Sequence, residues 1–116
     1  MSYKFYECHS HIALDGENAA NAALRFREGT DIDHAKEMFS AYSKAGIAFV
    51  RDAGDKWDTG ARAKKYACEY GITFLTPVFP IFKKGNYGGF LGRPYESIAD
   101  YRALVKEAKE KGADFI

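Results

Sequence analysis

The chain has 116 residues, 47% hydrophobic and 28% charged, the balance of an ordinary folded globular chain rather than a disordered one. No run approaches the roughly 18 apolar residues of a membrane-spanning helix, and Met1-Ser2-Tyr3-Lys4-Phe5 does not open a signal peptide, so the expected location is the cytoplasm. Seventeen basic and sixteen acidic side chains leave a formal charge of +1, which argues against nucleic acid or a membrane surface as partner and leaves a small molecule as the expected ligand.

Lys83-Lys84 with Arg93 is the best basic cluster and is too small to change that. Cys8 and Cys68 form no C-x-x-C pair and read as reduced, buried small side chains.

In chain order, the first element expected is a strand from Tyr3 to His9 or His11. It contains Glu7-Cys8-His9-Ser10-His11. Strand alternation would place Phe5, Glu7, His9 and His11 on one face and Tyr6, Cys8 and Ser10 on the other. A helix follows over Asp31–Ala45, with Ile32, Ala35, Met38, Phe39 and Tyr42 on one stripe. Gly46 then caps it and opens a strand, Ile47 to Arg51.

The pattern repeats. An alanine-rich helix from about Thr59 to Tyr70 ends at Gly71, and Ile72 to Thr76 reads as a strand. A third helix runs from Ser97 to Lys111, opened by Ser97-x-x-Asp100, a capping-box spacing. Gly112-Ala113-Asp114-Phe115 opens what reads as a fourth strand.

Strand–helix alternation implies a parallel sheet, either an open doubly wound one or a closed barrel. No G-x-G-x-x-G follows the first strand, so a dinucleotide site is unsupported. The fold expected is therefore a parallel (β/α)8 TIM barrel. Residues 1–116 would be the N-terminal part of one such domain, giving three βα units and the start of a fourth strand.

Two imidazoles two residues apart at a strand end converge as a metal site requires. With that context, the chain resembles the amidohydrolase superfamily of metal-dependent hydrolases. The resemblance rests on acidic-x-His-x-His at Glu7 to His11, Gly-x-x-x-x-Arg-Asp-x-Gly at Gly46 to Gly54, and Gly-Ala-Asp at Gly112 to Asp114. It implies His9 and His11 as ligands of a divalent metal, with zinc expected as one ion or two. It also implies hydrolysis of an amide, lactam or ester bond by metal-activated water, and a homo-oligomer is compatible with it. The family's usual first-strand aspartate is Glu7 here, and His9 arrives too early for the small β-sandwich that many relatives carry. The family's later ligands and its late aspartate base are not among these residues.

Around that pair, Glu7 and an Arg51–Asp52 pair are supporting candidates, with Asp55 and Asp58 solvated nearby. His34 reads as a surface residue. The stretch from Pro77 to Tyr95 is long for a βα loop and rich in aromatics and glycine, which suits a lid or pocket wall, or a subunit interface. Tyr87 and Arg93 are its candidates for meeting substrate. Two rival readings remain. His11-Ile12-Ala13-Leu14-Asp15-Gly16 partly matches a phosphoesterase of the polymerase-and-histidinol-phosphatase type, although Ala53 stands where that family has histidine after the second-strand aspartate. The other is a non-catalytic barrel fragment, because two ligands seldom suffice for catalytic zinc.

Overall fold

The computed structural model describes residues 4–116. Its elements are β1 (Phe5–Ser10), α1 (Ala20–Glu28), α2 (Asp31–Lys44), β2 (Ile47–Asp52), α3 (Thr59–Ala63), a 3-10 helix (Lys64–Tyr70), β3 (Thr73–Leu75), β4 (Ile81–Lys83), β5 (Arg93–Tyr95) and α4 (Ile98–Glu110). Tyr3, where the first strand was expected to begin, lies outside the described residues.

Strands β1, β2 and β3 pair in parallel in that order, and β4 pairs with β5 in a separate parallel sheet. This corrects the expected barrel: the chain is a small α/β fold with two open parallel sheets of three and two strands. Two local facts account for the difference. Residues 112–116 form no fourth strand; Asp114 instead makes an isolated contact at the end of β3, donating its N–H to the Thr76 carbonyl while its carboxylate accepts the Thr76 N–H. The aromatic and glycine-rich stretch, expected as loop, pairs with itself as β4 and β5. Gly88 and Gly92 allow this: a Cβ on Gly88 would stand 2.7 Å from Phe82 Cγ, and one on Gly92 2.8 Å from the Pro80 carbonyl oxygen.

Helix–strand punctuation follows elementary rules. Gly29, Gly46, Gly71 and Gly112 all take positive φ, closing helical segments at no Cβ cost. α2 buries Ala35 and Phe39, and Phe39 packs edge-on against Phe74 at 5.2 Å between ring centres. Those residues, with Ile12, Val50, Ala63, Ala67 and Ile72, make the main core between the helices and one face of the sheet. Val78, Phe79 and Ala108 make a second, smaller one under α4. Ser97 and Asp100 form the reciprocal capping box of α4. Among the described residues no helix is long and apolar enough to cross a membrane.

β1 is an edge strand, and both Cys8 and Cys68 are exposed. Their expected burial is thereby corrected: Cys8 lies on an edge strand whose side chains are all exposed or half-buried.

Candidate functional site

Because β1, β2 and β3 are parallel, their C-terminal ends share one edge of the sheet. His9 and His11, Arg51 to Gly54, and Thr76 to Phe79 are therefore brought together although distant in sequence. A cavity of about 580 Å³ opens there, lined among others by His9, His11, Arg51, Phe79, Phe82, Tyr87, Tyr101 and Phe115.

The two imidazoles stand edge to face with ring centres 5.4 Å apart and an interplanar angle of 88°. His11 Nδ1 lies 2.7 Å from the Gly54 carbonyl oxygen. A carbonyl only accepts, so Nδ1 carries the proton, and the Nε2 of the neutral ring keeps its lone pair for another partner. Metal-binding histidines are oriented by this kind of contact. Gly54 supplies it from a backbone at φ +83°, pressed so closely on Phe79 that a Cβ would fall 2.9 Å from the Phe79 Cα.

Glu7 is placed otherwise than strict alternation expects. It pairs with Val50 while Ser10 pairs with Asp52, with a register shift between them. The extra residue on β1 breaks the two-residue period, so Glu7 and Ser10 are the half-buried positions while His9 is exposed. Glu7 Oε1 accepts the N–H of His9 at 2.9 Å, and Glu7 does not line the cavity.

Arg51 and Asp52 do not pair, because adjacent strand residues face opposite sides. Arg51 lines the cavity with its guanidinium 4.0 Å from the centre of the Phe115 ring. Asp52 points into the protein and is fully buried. Its Oδ1 accepts the Ile12 N–H at 3.1 Å and its Oδ2 the Thr76 hydroxyl at 2.7 Å, fastening the ends of all three strands. Burial pushes its carboxyl from 3.8 up to about 6, against the opposing pull of the Thr76 and Ile12 hydrogen bonds.

Asp55 and Asp58, expected in solvent, are both engaged. Asp55 is 1% exposed and accepts the N–H groups of Trp57, Thr59 and Gly60 at the start of α3. Burial raises its carboxyl pKa, and those three N–H groups oppose the rise. Asp58 pairs with Arg93 and Lys111. Arg93 also pairs with Glu107 and lies 4.0 Å over the Phe79 ring; it does not line the cavity. Tyr87 stands fully exposed at the cavity mouth. His34 is half-buried, its Nε2 3.2 Å from the Leu14 carbonyl oxygen.

Sequence reasoning passed over Thr76 and Gly60. A Cβ on Gly60 would stand 2.4 Å from Asp52 Oδ2, so only glycine fits beside that carboxylate. The signal available was Asp55 placed ahead of Thr59-Gly60 at the opening of an alanine-rich helix.

Among the described residues no group of three or more His, Cys, Asp or Glu is arranged to hold a metal ion. His9 and His11 are a two-imidazole donor set. No family model, curated protein or solved structure matches the chain.

Proposed function

We propose that the cavity is the site of a metal-dependent hydrolase, in which His9 and His11 hold a divalent ion, with zinc the best fit to imidazole donors. The observation that carries this reading is the His11 ring. Its Nδ1 is committed to the Gly54 carbonyl, its Nε2 is left available, and a second imidazole faces it in the same cavity. A bound zinc ion supplies Lewis acidity, polarising a carbonyl and lowering the pKa of water toward about 7. The bond cleaved would be an amide, lactam or ester.

The protein's own contributions are orientation and exclusion of water. Gly54 fixes the His11 tautomer, and Asp52 holds the backbone of Ile12 immediately after it. Phe79, Phe82 and Tyr101 give the cavity an apolar wall that shields a polar reaction from competing solvent. His9 and His11 would supply two donors, where catalytic zinc usually takes three from the protein, and the remaining positions would go to a further ligand, water and substrate.

Zinc titration of the metal-free protein tests the assignment. His9→Ala and His11→Ala are each expected to weaken zinc binding by about 10-fold or more, the scale on which even an indirect supporting residue acts. Unchanged zinc affinity in both variants would overturn the assignment.

A further inference from the structure

The cavity has a charge asymmetry. Among its lining residues Arg51 is the one cationic side chain, and none is acidic. Other arginines near carboxylates are spoken for: Arg25 pairs with Asp15, Arg62 with Asp31, and Arg93 with Asp58 and Glu107. Arg51 has no such partner among the described residues. Its guanidinium lies against the flat face of Phe115. Among the described residues its N–H groups donate no hydrogen bond, and they form the fork that binds a carboxylate through two parallel hydrogen bonds. Around it the surface is aromatic and apolar, with Phe79, Phe82, Leu91 and Tyr101 lining the same cavity.

We propose that the cavity recognises a small planar apolar acid, with its ring against the aromatic wall and its single carboxylate on Arg51. In the metal-free cavity one guanidinium without a carboxylate partner balances one negative charge, which favours a carboxylate over a dianionic phosphate group. A volume of about 580 Å³ is within the range of small-molecule sites, and the mixture of apolar wall and one placed polar anchor is typical of them. This inference rests on the hydrolase reading for its chemical consequence: the substrate would be an amide or ester of an aromatic compound that also carries a free carboxylate. Binding itself needs neither histidine.

The test uses 4-acetamidobenzoate and its neutral partner 4-acetamidobenzamide, titrated into the protein in the presence of a chelator. The acid is expected to bind about 10-fold or more tightly than the amide. Arg51→Met, which keeps an apolar stem over Phe115, is expected to abolish that preference while leaving amide binding unchanged. That unchanged binding also shows the cavity to be intact. Equal binding of acid and amide to the unaltered protein, or a preference that survives Arg51→Met, would overturn the proposal. So would 4-nitrophenyl phosphate binding more tightly than the acid. A retained acid preference in a protein that takes up no zinc supports the anion site and removes the hydrolase reading alone.

Discussion

Replacing Asp52 by asparagine probes the centre of the fold. The carboxyl is fully buried, and burial raises it from 3.8 to about 6. Between those values the folded protein holds a proton that the unfolded chain has released. Stability therefore falls as pH rises through this window, is greatest below the unfolded value, and levels off above the folded one. A rise of 6 less 3.8, at about 1.4 kcal/mol per unit, amounts to about 3 kcal/mol.

Asparagine at this position keeps an acceptor for the Ile12 N–H but presents its amide N–H₂ to the Thr76 hydroxyl. An N–H₂ cannot accept, so the Thr76 hydroxyl proton loses its partner, while its oxygen still accepts the Val78 N–H at 3.1 Å. That costs about 1 kcal/mol at every pH. The difference in stability between Asp52→Asn and the parent should then shift by about 2 kcal/mol in favour of asparagine between pH 4 and pH 7.5, most of the full amount. Asp55, raised by burial in the same direction, stays in both proteins and largely cancels. Urea unfolding of the metal-free proteins across that range gives the two curves. If they run parallel, the Asp52 carboxyl is not held out of water as its geometry requires.

Two further outcomes follow from backbone geometry. Gly54→Ala places a Cβ 2.9 Å from the Phe79 Cα at φ +83°, so urea unfolding should show a loss of about 2–4 kcal/mol, and zinc affinity should fall with it because the His11 contact moves. Ser97→Ala removes the side chain that accepts the Asp100 N–H, and a loss of about 1 kcal/mol is expected by the same measurement, with the zinc titration unchanged.

The elements legible in the sequence were those whose signal is local. α2 and α4 carry an amphipathic stripe and a capping box, and β2 and β3 follow a glycine that stops a helix. α1 is harder to read because it is short and buries only Ala22, although Gly29 marks its end and Asn18 accepts the N–H of Ala20 at its start. The alanine-rich segment reads as one helix in sequence, yet only Thr59–Ala63 is α-helical before it tightens into 3-10 turns. β5 is Arg93-Pro94-Tyr95, and a proline within so short a run argues against a strand until its partner is known. The two histidines were legible by spacing, and the glutamate beside them was misplaced because a register shift is a property of the strand pair, not of either strand alone. The roles of Asp52 and Asp55 were hidden for a related reason. Both look like loop carboxylates in sequence, and only long-range packing supplies the N–H and O–H groups that justify burying them.

Those two carboxylates also explain why the proposed site lies where it does. A parallel sheet brings strand ends together but leaves the polar groups just past them without ladder partners. Asp52 answers for Ile12 and Thr76, and Asp55 for the opening turn of α3. Near neutral pH both are held in surroundings that disfavour their charge, which lowers stability, but an ionised oxygen is a stronger acceptor and holds the strand ends in fixed positions. Negative charge on Asp52, which holds the N–H of the residue next to His11, also favours a cation at that ring. Neutralising Asp52 would thus make the protein more stable at pH 7.5 relative to its acid behaviour while weakening its hold on zinc. Opposite signs in those two measurements distinguish a carboxylate kept for a metal site from one kept only for packing.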